Sequence, residues 1–280
     1  MASLYDPNDP YQTNNQGQGY DPQNMYQQQM YQQQMNRGAF GMNQPSYAPG
    51  QQGYGTVATD VNDVLTKSFL FMFLALLVTG ITSLAVAHSA ETGGALGRMI
   101  YGTRYSFIIF LVIEVVVVIA ANFAMKNNKV ALSAVLFGVY SIVNGLTLSV
   151  IFLVYELGSI TQVFFISAGI FGVMALLGAV TKLDLTKLGV ICVIGLFGII
   201  IATIVNMFIK SARMDYVISI IGVIIFTGLT AYDVQKIKKM AATNVGYDPI
   251  VLGLYGALEL YLDFINLFLY LLRIMGKARN

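Results

Sequence analysis

The chain has 280 residues, of which 56% are hydrophobic and only 11% charged. A soluble domain carries about 25% charged residues, so the composition points to a protein that lives in lipid. A net charge of +2, from 16 Lys and Arg against 14 Asp and Glu, argues against a nucleic-acid partner.

Cys192 is the only cysteine, so no intrachain disulfide forms, and it reads as a small buried hydrophobe. His88 is the only histidine, which excludes a multi-histidine metal site. It closes an apolar run and reads as an interfacial residue.

Residues 1–56 are rich in Gln, Tyr, Asn, Gly and Pro, with Met-Tyr-Gln-Gln-Gln at 25–29 and again at 30–34. Such a segment buries too little apolar surface to offset its ordering entropy and is expected to be a disordered tail. It lacks the apolar stretch of a secretory signal peptide. A membrane domain is expected over 65–276.

From about residue 65 the chain is a series of long apolar runs at 68–88, 106–125, 130–154, 160–181, 187–209, 216–238 and 250–275. About 20 apolar residues span a bilayer as a helix, and lipid leaves the backbone no other partner but itself. The expected fold is an all-α integral membrane protein of seven transmembrane helices. With the amino terminus inside, the cytoplasmic loops hold Lys126, Lys129, Lys182, Lys187, Lys236, Lys238 and Lys239, and the opposite loops hold Arg98, Arg104, Lys210 and Arg213. Arg273, Lys277 and Arg279 oppose this count, which leaves open a last run that re-enters the membrane instead of crossing it.

Small residues recur within the runs: Gly138, Ser141 and Gly145; Gly169, Gly172 and Gly178; Gly195 and Gly198. They let helix backbones approach in lipid and predict a compact bundle.

The last run carries Gly253, Gly256, Glu259, Asp263, Asn266, Tyr270 and Arg273 at steps of 3 and 4, which place them on one helical face. The other positions are mostly Leu, Tyr, Phe and Ile, so this polar stripe is expected to face the protein or a water-filled cavity. Asn266 and Tyr270 fit simple hydrogen bonding to neighbouring helices. Two intramembrane carboxylates, Glu259 and Asp263, point instead to an ion or proton pathway, because charge at that depth costs several kcal/mol.

The sixth run adds Asp233 toward its cytoplasmic end. The sixth and seventh runs are consecutive and antiparallel, so Asp233 and Asp263 can approach if the last helix begins near 253–256, after the turn signalled by Tyr247, Asp248 and Pro249. Two carboxylates in one low-dielectric site do not both ionise cheaply; they share a proton and titrate as a pair, which makes a pH sensor. Deprotonated, the same oxygens suit a hard cation such as calcium, with Asp233 and Asp263 as ligands, and acid displaces it. Glu114 in the second run either joins this cluster or bonds to a neighbouring helix. No catalytic residue is assigned.

Thr230-Ala231-Tyr232-Asp233 with Gln235 and Ile237, then Ala257-Leu258 and Leu260-Tyr261-Leu262-Asp263-Phe264-Ile265-Asn266-Leu267-Phe268, then Leu271-Leu272-Arg273 and Gly276, resemble the Bax inhibitor-1 family, also called the transmembrane Bax inhibitor motif family. The hydropathy pattern over 65–276 is similar too; the tail lies outside it. The resemblance implies a seven-helix bundle with the seventh helix central. It also implies a pH-sensitive calcium leak sensed by an aspartate pair, here Asp233 and Asp263.

In bacterial members an arginine at the end of the second helix latches onto the sixth-helix aspartate. The matching stretch here, Met125-Lys126-Asn127-Asn128, has no arginine, and Lys126 is the nearest cation in it. Glu259 departs from the family pattern.

The expected partners are therefore the lipid bilayer, calcium and other membrane proteins, in a bacterial inner membrane rather than a eukaryotic internal one. Two further classes compete with the leak: an interaction protein acting on a membrane protease or on cell-death or stress machinery, and a proton-coupled transporter. An intramembrane aspartyl protease is disfavoured by the missing Gly-x-Gly-Asp pattern before Asp263.

Overall fold

The computed structural model describes residues 60–102, 106–244 and 246–279. The expected disordered tail at 1–56 and the loop cation Arg104 lie outside the described residues. The described chain is helical almost throughout: α1 (Val61–Glu91), α2 (Ala95–Tyr101), α3 (Ser106–Lys126), α4 (Val130–Val154), α5 (Leu157–Val180), α6 (Thr186–Ile209), α7 (Ala212–Ala242) and α8 (Pro249–Met275). All but α2 are long and apolar enough to cross a membrane. Phe208, Ile191 and Ile194 leave about two thirds or more of their surface exposed, as a belt facing lipid requires.

Two helices start earlier than hydropathy alone predicts, because polar caps precede the apolar residues. Asp60 accepts from the Asn62 N–H at 2.9 Å and starts α1 at Val61 instead of 68. Ser211 accepts from the Met214 N–H and starts α7 at Ala212 instead of 216. The connections are tight. Lys210 at φ 55° closes α6 just before that cap, and Asn128 at φ 54° turns α3 into α4. The short α2, which hydropathy does not reveal, is tied down by the Tyr101 hydroxyl 2.6 Å from Ser149 Oγ.

α8 is the axis of the bundle. It packs against α1, α7, α5, α4 and α3, while α6 packs on α7 at the periphery. In the most apolar stretch of α8, 72% of residues are buried, against 17% for α6, so the last helix is enclosed on nearly every side and not just along its polar stripe. It also crosses completely. Arg273 pairs with Asp215 (3.7 Å), Lys277 with Glu156 (3.1 Å) and Arg279 with Glu91, so the end of α8 shares the face where α1 and α4 end. The re-entrant alternative is thereby removed, and the tail cations lie opposite the lysine-rich face of Lys126, Lys182 and Lys239.

The small residues divide into two sets. A Cβ on Gly178 would strike the Ala231 backbone, one on Gly145 would meet Thr82 and Thr79 O, and one on Gly195 would meet Ile225, so these three sit at close helix crossings. Gly138, Gly169, Gly172 and Gly198 face open space and make no such contact. On α8, Gly256 admits Ser68 of α1 and Ile237 of α7 together, which brings both helices against the axis beside the carboxylates.

Candidate functional site

Asp233 and Asp263 face each other across the α7–α8 contact, within hydrogen-bonding reach. They are 8% and 4% exposed, which places both inside the protein. At 1.5 Å per residue Asp263 lies about 21 Å along α8, and Asp233 about 14 Å before the end of α7. Their contact therefore requires α8 to begin about 7 Å farther out on the lysine-rich side than α7 ends. The expected start near 253–256 is replaced by this offset. Pro249 opens α8 behind an Asp248 cap, and the link 243–248 takes up the difference. Asn128 holds that link from the α3–α4 turn: its side chain accepts from the Asp248 N–H at 2.9 Å and donates to Gly246 O at 3.2 Å.

Glu259 lies one turn from Asp263 and joins the same cluster. Lys236, expected among the loop cations, reaches inward instead. Its Nζ is 2.5 Å from Glu259 Oε1 and 3.9 Å from Asp233 Oδ1, and it lies 5.3 Å from the centre of the Tyr255 ring. Lys236, and not Lys126, is thus the cation beside Asp233. Two carboxylate oxygens in this cluster, Asp263 Oδ2 and Glu259 Oε2, are buried with no protein partner. Unpaired buried acceptors are rare in folded proteins and call for an explanation, such as a shared proton, a water or an ion.

Glu114 and Asn266 stay outside the cluster. Glu114 bonds to its neighbour helix: Asn144 Nδ2 donates to its carboxylate, and Thr147 Oγ1 lies 3.4 Å from Oε2. Asn144 Oδ1 accepts from the Tyr261 hydroxyl at 2.9 Å, and that hydroxyl is 2.7 Å from Thr79 Oγ1. This second polar network links α3, α4, α8 and α1. Asn266 donates to Leu262 O on its own helix.

Two cavities lie against α8, and neither is lined by Asp233, Glu259 or Asp263. One, of about 420 Å³, opens on the lysine-rich side between Met125, Lys126, Tyr247 and Leu252, and its inner wall is Tyr255. The other, of about 430 Å³, lies toward the opposite face and is lined by Glu114, Asn144, Thr147, Asn266 and Arg273. Along α8, Glu259 falls between the residues that line the two.

Gln235, in the same helical turn as Asp233, explains a further part of the motif. Its amide donates to Leu183 O at 2.7 Å and accepts from the Leu185 N–H at 2.9 Å, fixing the α5–α6 connection to α7. The sequence reads Lys236 only as a loop cation and Tyr261 only as part of the motif string, and it singles out neither Tyr255 nor Asn144. A lysine three residues after an intramembrane aspartate was the available signal for Lys236; the other three show themselves only through contacts between distant helices.

The chain is similar to several known proteins. A family model described as inhibitor of apoptosis-promoting Bax1 matches residues 61–280. Inner membrane protein YbhL of Escherichia coli is 40% identical over 218 residues, covering 77% of this chain and 92% of YbhL. An uncharacterized protein of Borreliella burgdorferi is 42% identical over 221 residues, 78% of this chain and 94% of its own length. An uncharacterized Rickettsia prowazekii protein is 38% identical over 218 residues, 77% and 90% of the two chains.

Proposed function

The chain belongs to the Bax inhibitor family, and we propose that it is a pH-sensitive calcium leak in a bacterial inner membrane, governed by the Asp233–Asp263 pair. The location rests on the spans and on the similarity to the inner membrane protein YbhL. The observation that carries the activity is the contact of two buried carboxyl groups at the middle of the central helix.

Two carboxyl groups in contact hold a proton between them. Removing that proton leaves two anions side by side where water is scarce. The strain is relieved by separating α7 from α8 or by drawing in a cation. Calcium suits the oxygens, but as a passing ion: a resident calcium takes six to eight oxygen ligands, and among the described residues no group of three or more His, Cys, Asp or Glu is arranged to hold a metal.

The test is calcium flux into liposomes holding the purified full-length protein, across a pH series. The wild type is expected to show a flux that changes steeply with pH. Asp263→Asn and Asp233→Asn are expected to flatten that profile. Flux and pH profile unchanged in Asp263→Asn would sink the reading.

A further inference from the structure

The geometry points to Lys236 as a tethered cation that occupies the carboxylate cluster at rest, with Glu259 as its docking group, so that a permeant cation enters only by displacing it. The inference rests on reading the cluster as a cation site, and adds what regulates that site.

The ammonium sits where a free cation would sit. Its neighbours are Glu259 Oε1 at 2.5 Å, Asp233 Oδ1 at 3.9 Å and the face of the Tyr255 ring at 5.3 Å, each of which attracts positive charge. The stem springs from α7 one turn beyond Asp233, so the charge is delivered from within the protein and its local concentration is permanent. Tyr255 covers the ammonium on the side of the lysine-rich cavity and is that cavity's inner wall. Occupation is incomplete, however. Asp263 Oδ2 and Glu259 Oε2 remain buried and unpartnered, and Asp263 is only 4% exposed. One ammonium does not satisfy three carboxyl groups, so open acceptors remain in the cluster for the ion that displaces it.

The four-carbon stem of a lysine is flexible, which lets Nζ leave Glu259 while the α7 backbone stays in place. Expulsion of Lys236 and entry of a divalent ion are then one exchange at fixed oxygens. The tethered charge also sets a threshold by valence: a monovalent ion gains nothing over the ammonium it replaces, whereas a divalent ion does.

The experiment measures calcium binding to purified full-length protein by titration calorimetry, beside amine-reactive labelling of Lys236 read by mass spectrometry. Lys236→Met is expected to bind calcium about tenfold more tightly than wild type, or better. Lys236→Arg, which keeps the cation, is expected to stay near the wild-type affinity. In the wild type, calcium is expected to raise labelling of Lys236 severalfold while Lys182 and Lys239 stay constant as internal references. Because the labelling uses the unmutated protein, it holds even where a variant folds poorly.

No gain of affinity in a folded Lys236→Met protein, or labelling of Lys236 indifferent to calcium, overturns the inference. The two readings fail separately. If Asp263→Asn alters flux while Lys236 neither competes nor moves, the leak stands and the tethered cation falls. Tightened binding without flux in any variant gives the reverse.

Discussion

The Tyr261 hydroxyl donates to Asn144 Oδ1 at 2.9 Å, joining α8 to α4 at a buried position. Phe137 and Tyr140 pack edge-on against the same ring at 5.9 and 5.7 Å between centroids. Asn144 in turn donates to Glu114. The second polar network of the membrane domain therefore hangs on one phenol, two residues from Asp263 on another side of the central helix.

Tyr261→Phe keeps the ring and its packing but leaves Asn144 Oδ1 without its donor. The expected cost is about 1 kcal/mol, the scale of a hydrogen bond between membrane helices. Thermal unfolding in detergent checks it. Tyr261→Phe combined with Thr79→Val should cost less than the sum of the two single changes, because both act on one network. Strict additivity would show that Thr79 and Tyr261 are not coupled.

Gly178 and Gly172 lie two turns apart on α5 and predict opposite outcomes. A methyl group at 178 collides with the Ala231 backbone, which has no rotamer to escape by, so α5 must move off α7 at a cost of about 1–3 kcal/mol. Gly172 has nothing within 4 Å of its added Cβ, and Gly172→Ala is expected to be neutral or slightly stabilising. Equal losses of melting temperature in the two variants would mean that the close α5–α7 crossing is not where the structure puts it.

How far these relationships can be read from the sequence depends on how local their causes are. The spans were legible because lipid imposes one solution on an apolar run of about 20 residues. Their starts were not, because Asp60 and Ser211 cap the helices from beyond the apolar stretch. The approach of Asp233 to Asp263 was legible because the two helices are consecutive. The inward turn of Lys236 was not: a lysine near a helix end ordinarily extends its charge to the membrane surface, and only the placement of Glu259 beside it reverses the direction. Tyr261 stood in plain view inside a recognisable string, yet its partner Asn144 is 117 residues away.

Outside the membrane, Asp184 carries a clear pH signature. The Lys239 ammonium and the Thr186 hydroxyl and N–H hold its carboxyl down at about 2, below the ordinary value near 4. A depressed carboxylate favours the folded state above its unfolded pKa, and that contribution disappears as pH falls through the folded value. The window is therefore about pH 4 down to 2. The difference in stability between wild type and Asp184→Asn is expected to be constant above pH 4 and to vanish toward pH 2. Asp184 is fully exposed, so salt should shrink the difference. A difference that persists at pH 2 would place its cause elsewhere than in the ionised carboxylate.

The residues after α8 form a strap on the face opposite the lysines. The Glu156 N–H donates to Lys277 O at 3.0 Å and the Arg279 N–H to Val154 O at 2.8 Å, a short antiparallel bridge between Tyr155 and Ala278. Lys277 N–H also donates to Ser159 Oγ at 2.9 Å, while Arg279 reaches Glu91 at the end of α1. Two kinds of interaction thus hold the strap, and they differ in strength. The ion pairs are half exposed, so Arg279→Ala alone should cost well under about 1 kcal/mol. The backbone bonds hold the α4–α5 connection, so removing residues 277–280 is expected to do far more than any single charge change. Amide hydrogen exchange at Glu156 should accelerate by about tenfold or more in the truncated protein, while α7 and the buried turns of α8 keep their protection. Exchange at Glu156 that is indifferent to the truncation would show that the α4–α5 connection holds its shape without the strap.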